Sequence, residues 1–257
     1  MKPIVVKIGG STLGSQDTTM EDLVQLQKQG LALVVIHGGG QLISDWLAKL
    51  DISTSFIKGL RVTDAASLEV VIAVLGGLVN KELVVSIQAL GGKAIGISGS
   101  DGNLLQAKVN NIDLGFVGDI FAVDPTPVKL LMKAGYIPLV APISLGVAEG
   151  KATLLNVNGD LAAGEIAAAL TAQKLIFLTD VDGIYDRSGK RLSRLTIAEA
   201  KEILASGIAS GGMIPKIQAC IKALTAIPLT RIIDGTRPHA LLKEMKNGEG
   251  GTSIVAR

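Results

Sequence analysis

Cysteine is almost missing from this 257-residue chain. Cys220 is the only one, so no internal disulfide can form, as suits a reducing compartment. Aromatic residues make up 3%, leaving few platforms on which nucleobases would stack. No excess of one charge exists either: 25 Lys and Arg face 23 Asp and Glu without a basic run, and nucleic-acid binding is not expected. The longest unbroken apolar run, Val70 to Val79, is about half of what a membrane-spanning helix needs. The N-terminus enters a strand-like run at once, without a basic stretch, apolar signal core or cleavage pattern. Together these absences predict a soluble, cytoplasmic protein.

Apolar and small residues are plentiful. Hydrophobic residues account for 48% of the chain and glycine for 31 positions, with a mean hydropathy of +0.46. That is material for one large domain or two small ones. Strand-like runs alternate with helical ones, which predicts a mainly parallel sheet covered on both faces. Strands are expected at 3–8, 31–36, 93–97, 137–140, 174–179 and 230–234. Helices are expected near 20–29, 41–50, 64–90, 126–134, 159–170, 196–206, 213–226 and 238–246. The first reads with a capping box from Thr18 to Glu21. The 64–90 pattern is expected to bend or break at Gly76-Gly77. Residues 98–124, rich in Gly and Asp, interrupt the alternation and read as β-hairpins forming a substrate lid. A division into lobes, 1–172 and 173–257, falls near Ala172-Gln173 within one continuous sheet.

Two apolar strands run into glycine-rich turns, Ile8-Gly9-Gly10-Ser11 and His37-Gly38-Gly39-Gly40. Such turns let backbone N–H groups converge on an anion at a helix start. Lys7 is the only charge in a strand that reads as buried, and a buried lysine calls for an anionic partner. Two familiar phosphate motifs are excluded. No Gly-Lys pair is followed by Ser or Thr, and Ile43 stands where a dinucleotide fingerprint has its last glycine. Lys216 falls in the first turn of a helix opened by Gly211-Gly212-Met213-Ile214-Pro215, where the macrodipole disfavours a cation. It is either a solvated surface lysine or, with Lys7, one half of an anion site. In Asn156-Val157-Asn158-Gly159-Asp160, Asn158 or Asp160 serves as a helix cap, and an aspartate near two lysines would hold them in place. Asp180-Val181-Asp182-Gly183-Ile184-Tyr185-Asp186 leaves a strand at its carboxyl end. It lacks the ligand pattern of a calcium loop and reads as a nucleotide-contacting turn. Arg61 is a candidate carboxylate clamp. His37 and His239 do not suggest a metal site, and no Ser/His/Asp or Cys/His arrangement is visible.

In order and spacing these elements resemble the amino acid kinase family over nearly the whole chain, and within it the branch acting on N-acetyl-L-glutamate. The resemblance rests on Lys7 to Gly10, His37 to Gly40, Gly59 to Thr63, Val79 to Lys81, Ser98 to Gly102 and Leu114 to Gly118. It continues through Asn156 to Asp160, Thr179 to Tyr185 and Gly211 to Lys216. It implies a three-layer αβα sandwich with a β-hairpin lid. The implied reaction moves the γ-phosphoryl of MgATP to the side-chain carboxylate of N-acetyl-L-glutamate, early in arginine biosynthesis. The resemblance makes Lys7 and Lys216 catalytic cations oriented by Asp160. It places substrate on Gly39, Gly40, Arg61 and Asn156. ATP falls on Gly9, Gly10, Asp180, Val181, Asp182, Gly183, Ile184, Tyr185, Ile208, Ala209 and Ser210, with Mg2+ held through its phosphates and no protein metal site.

Two departures stand out: Gly159 where the family usually has alanine, and Ser100 where lysine is frequent. Kinases for carrier-protein-bound 2-aminoadipate share most of the pattern, and a non-catalytic subunit on the same fold is the alternative outside enzymes. Arginine-inhibited members carry an extra N-terminal helix that builds hexamers. The first strand here begins too early for one, so a homodimer without arginine inhibition is expected. Against this, His239 to Glu244 with Gly248 to Thr252 resembles the stretch that binds arginine in inhibited members.

Overall fold

The computed structural model describes residues 2–9, 18–57, 59–110, 112–148, 150–248 and 250–256. Eight strands form one sheet. In spatial order they are Arg194–Thr196, Thr252–Val255, Leu229–Asp234, Lys174–Thr179, Ile4–Ile8, Leu33–His37, Ile137–Ala141 and Ala94–Ser98. All neighbours run parallel except Thr252–Val255 against Leu229–Asp234. Ile4–Ile8 lies in the middle, with strands from the first 172 residues on one side and later ones on the other. The chain therefore winds outward in both directions from this strand, and its carboxyl end is a topological switch point, where open α/β sheets bind ligands.

The alternation of strand side chains divides the interior in two. Ile4, Val6 and Ile8 belong to one apolar cluster with helices Thr19–Lys28, Gly40–Lys49 and Ala240–Lys246 and the long 65–89 helix. Val5 and Phe177 belong to the other, with helices Gly159–Ala169, Ile197–Ala205 and Met213–Ala223. The result is an αβα sandwich. A second sheet of four strands lies over one end: Leu105–Val109 pairs antiparallel with Gly118–Val123, and Ile143–Ala148 with Lys151–Asn156. The first hairpin occupies the expected segment, whereas the second lies outside it.

One local reading is corrected and another is made specific. Thr18 and Glu21 form no capping box. The Thr18 hydroxyl instead accepts the His239 N–H at 2.6 Å, and Asp22 accepts from His239 Nδ1 and the Leu241 and Leu242 N–H groups, tying the first helix to the start of the last. A capping box does form at Thr196–Glu199. The long helix does not break at Gly76-Gly77. Residues Ala73–Val79 widen into a π-helix between Ala65–Ile72 and Asn80–Ala89, so the glycines loosen the turn rather than end it. By length and composition this helix would suffice to cross a membrane, but Val71, Val74, Leu75, Val79, Leu83 and Ile87 are buried in the core.

Candidate active site

The switch-point strand carries Lys7 on the Val5 face, toward the helices Gly159–Ala169 and Met213–Ala223. Those two helices pack closely because Gly164 faces Ala219. A Cβ on Gly164 would lie 2.7 Å from the Ala219 carbonyl oxygen. Their N-terminal turns therefore open side by side. Asn158 caps the first, its side-chain oxygen accepting from the Asp160 and Leu161 N–H groups at 2.9 and 3.1 Å. With the cap supplied by Asn158, the Asp160 carboxylate is left for other partners, at a helix end that favours an anion. Its Oδ1 lies 2.9 Å from Lys7 Nζ and its Oδ2 accepts from Lys216 Nζ at 3.2 Å. Lys216 also donates to Gly212 O at 3.2 Å, which offsets its place in a first turn. All three side chains are largely buried. The Lys7 contact is an ion pair without aligned hydrogen-bond geometry, which leaves Asp160 Oδ1 without a hydrogen-bond partner among the described residues. Gly159 is compatible with the alanine usual at its position, since a Cβ there would meet Lys7 Cε at an ordinary 3.7 Å.

Lys7 and Asp160 border a cavity of about 190 Å³ shared with Gly38, Gly39, Gly40, Arg61, Leu75 and Asn156. Gly39 precedes the helix Gly40–Lys49, whose start has no side-chain cap, and neither glycine N–H meets an acceptor among the described residues. A Cβ on Gly39 would lie 2.7 Å from Leu75 Cδ2 of the π-helix, so a larger residue there would displace that side chain. Arg61 sits in a short ladder pairing Phe56–Ile57 with Leu60–Arg61. Its Nη2 donates to Gly40 O at 2.8 Å and Ser44 Oγ at 2.7 Å, its Nη1 to Thr54 Oγ1 at 3.3 Å, and its guanidinium stacks over the Phe56 ring. Burial pushes its pKa down, and no carboxylate pairs with it among the described residues. A buried cation without a counter-ion at a cavity wall is suited to a carboxylate ligand. Asn156 donates from Nδ2 to Thr63 Oγ1 at 3.1 Å, and Thr63 in turn donates to Arg61 O, joining two motifs 93 residues apart.

Val181, Gly183, Ile184, Tyr185, Ile208, Ala209 and Ser210 line a second cavity, of about 170 Å³, together with Met213. Its apolar walls suit a flat base. Gly183 has φ +140°, and a Cβ there would lie 2.5 Å from Thr252 Oγ1, which accepts the Ile184 N–H. Asp182 faces a different cavity; it accepts from Tyr185 and Arg191, contacts that hold its carboxyl below the usual range and raise the Tyr185 phenol. Asp180 accepts from Thr179 Oγ1 at the strand end. Gly9 donates to Leu178 O, while Gly10 falls outside the described residues. The two cavities approach each other where Gly59 nears Gly211: a Cβ on Gly59 would lie 3.9 Å from Gly211 O. Among the described residues no group of three His, Cys, Asp or Glu side chains is placed to hold a metal ion. Ser44, Thr54, Phe56, Thr63 and Met213 went unnoticed as site residues because each becomes local only through tertiary contacts.

Residues 2–233 match the amino acid kinase family. The acetylglutamate kinase of Dehalococcoides mccartyi (strain CBDB1) is 43% identical over 99% of this chain and 94% of its own length. The chain belongs to the amino acid kinase family. A second acetylglutamate kinase, from Caldanaerobacter subterraneus subsp. tengcongensis, is 46% identical over 98% of this chain and 87% of its own. Among solved structures, the smu.665 protein of Streptococcus mutans UA159 matches with a TM-score of 0.84 at 28% identity, covering 99% of this chain and 98% of that one. An N-acetylglutamate synthase from Neisseria gonorrhoeae, complexed with coenzyme A and N-acetyl-glutamate, matches at 0.85 and 26%, covering all of this chain and 60% of that one. Carbamate kinase from Giardia lamblia bound to AMP-PNP shares the fold, with a TM-score of 0.73 at 16% identity over the full length of this chain and 99% of that one. The amino acid kinase fold is thus present throughout.

Proposed function

We propose that this chain is an acetylglutamate kinase, transferring the γ-phosphoryl of ATP to the side-chain carboxylate of N-acetyl-L-glutamate to give N-acetyl-L-glutamyl 5-phosphate in arginine biosynthesis. The observation that carries the reading is Asp160 bridging Lys7 and Lys216 beside a cavity that also presents Arg61 and two unpaired glycine N–H groups. A carboxylate nucleophile is already ionised at neutral pH, so no general base is required. One of its oxygens forms a bond to the γ-phosphorus, the bond from that phosphorus to the β–γ bridging oxygen breaks, and ADP departs with the electron pair. Lys7 and Lys216 neutralise the charge on the transferred group, Asp160 holds them apart and in place, and the Gly39 and Gly40 N–H groups receive its oxygens. Arg61 holds the α-carboxylate and Asn156 the acetamido end. Mg2+ carried in on the nucleotide phosphates would supply further charge neutralisation. The Asp160 carboxylate is already engaged by two lysines.

In this reading residues 1–172 bind acetylglutamate and carry the dimer contact, and 173–257 bind ATP across the 181–185 and 208–210 walls. The protein is cytoplasmic, uses neither nucleic acid nor membrane, and is a homodimer. It is not inhibited by arginine: the C-terminal stretch that resembles an arginine-binding segment already surrounds a guanidinium of this chain, that of Arg231. Arg231 pairs with Glu244 and donates to the Gly248 and Gly250 carbonyls. The reading is tested by a panel of acceptors with ATP, trapping acyl phosphate with hydroxylamine. Hydroxamate should form from N-acetyl-L-glutamate and far less from glutamate or aspartate. Turnover of carrier-bound aminoadipate with none of acetylglutamate would reassign the substrate.

A further inference from the structure

His37 opens the His37-Gly38-Gly39-Gly40 turn, is fully buried, and has no part in the chemistry above. Its ring is nonetheless bonded at both nitrogens. Asn80 Nδ2 faces the carbonyl oxygens of Leu139 at 2.9 Å and Ile97 at 3.3 Å, and Asn80 Oδ1 accepts from Lys81 Nζ at 3.0 Å. These partners fix which end of the amide carries hydrogens. Nδ2 is also 3.1 Å from His37 Nε2, which must therefore be the bare, accepting nitrogen. The ring proton then sits on Nδ1, 3.0 Å from Gly38 O. Asn80 follows directly on the π-helix whose Leu75 and Val79 press on Gly39.

We propose that His37 is a positioning residue. Held in one tautomer by Asn80, it fixes the Gly38 carbonyl and so orients the following peptide groups, whose Gly39 and Gly40 N–H groups line the cavity. The inference rests on the kinase reading for its consequence but not for its geometry. Gly38 N–H is tied to Ile8 O at 3.0 Å and Gly40 O to Arg61, so the Gly38 carbonyl is where the turn takes its remaining constraint from a side chain.

The test has a structural and a kinetic arm. The chain contains two histidines, so long-range ¹H–¹⁵N spectra of the unliganded protein can be assigned to His37 directly. The expected signature is a protonated Nδ1 and a bare Nε2; the opposite tautomer overturns the proposal. His37→Asn retains a donor near the Nδ1 position, whereas His37→Gln retains only a group near Nε2. His37→Asn should leave the Gly39 and Gly40 amide resonances and the KM for acetylglutamate near those of the parent. His37→Gln should shift those resonances and lower kcat/KM by about 100-fold, as expected for a misplaced binding group, with the KM for ATP unchanged. Gly96→Ala, on the edge strand away from the cavity, would place a Cβ 1.8 Å from Asn80 Oδ1 and should act like His37→Gln. Equal stability loss and equal kinetics in the Asn and Gln variants would show a purely structural role and sink the proposal. If the parent phosphorylates no acceptor, the kinase reading fails, while the tautomer and the glycine resonances still decide the positioning role.

Discussion

One carboxylate shared between two ammonium groups leaves a net positive charge, and at Asp160 that surplus is confined to a largely buried place. Such a charge gains most when the phosphoryl group is in transit. Replacing Lys216 by Met should therefore lower kcat by about 100-fold or more while changing KM little. Asp160→Asn should do the same by releasing both lysines, and steady-state kinetics on both substrates separate the two parameters. A Lys216→Met enzyme with near-normal kcat would remove that residue from the mechanism. His37 offers a second expectation, on stability. Burial, with Lys7 and Lys81 nearby, holds its pKa at about 4 against 6.5 in the unfolded chain. Between those values the unfolded chain binds the extra proton, so stability falls as pH drops from 6.5 toward 4, by about 3 kcal/mol in all. Urea unfolding of His37→Asn should show this slope flattened. An unchanged slope would assign it to other groups.

The long periodic runs were legible because burial on one or two faces writes itself into spacing: all six predicted strands and eight predicted helical stretches have counterparts. Short elements were not. Arg194–Thr196 and Phe56–Ile57 are stabilised by pairing with neighbouring strands, which no local window contains. Thr18 was misread for the same reason, its hydroxyl bonding 221 residues away. The last helix meets the sheet at Glu244, which is buried and accepts from Lys174 Nζ and Arg231 Nε, both at 2.9 Å, with Arg231 Nη2 also 2.9 Å away. Glu244→Gln strands two cations and should cost about 3–5 kcal/mol in denaturant unfolding. Arg231→Met leaves Lys174 still paired and should cost less. Because Arg231 fills this socket, millimolar arginine should not change the activity of the parent; a sigmoidal loss of activity would show that a second guanidinium site exists.

At the scale of the molecule, positions 7, 160 and 216 have no spacing that announces a common site. Their convergence follows from a sheet that winds outward from its central strand and from two helices packed through Gly164. Family resemblance suggested the grouping before the geometry supplied its cause. The same helix that backs the glycine turn also presents Ala73, Gly77, Lys81 and Val85 outward at four-residue intervals, with Val85 63% exposed, beside the sheet edge Ala94–Ser98. Light scattering should give the mass of a dimer, and Val85→Glu should shift it toward monomer. A dimer unaffected by that change would place the contact elsewhere.

The widened turn at Ala73–Val79 has a consequence for how this chain tolerates change in length. A π-helix holds a residue more than the α-helical path between the same ends. Deleting one residue there would let the segment close into ordinary α-helix between the same ends, whereas a deletion in either flanking α-helical part would turn everything after it by about 100°. A deletion within Ala65–Ile72 would swing Asn80 away from His37 and take Leu83 and Ile87 out of the core, whereas one within Ala73–Val79 would leave all three in place. Along this helix the count of residues is a fixed dimension of the site everywhere except at the widened turn, which holds the spare residue that the rest of the helix cannot lose.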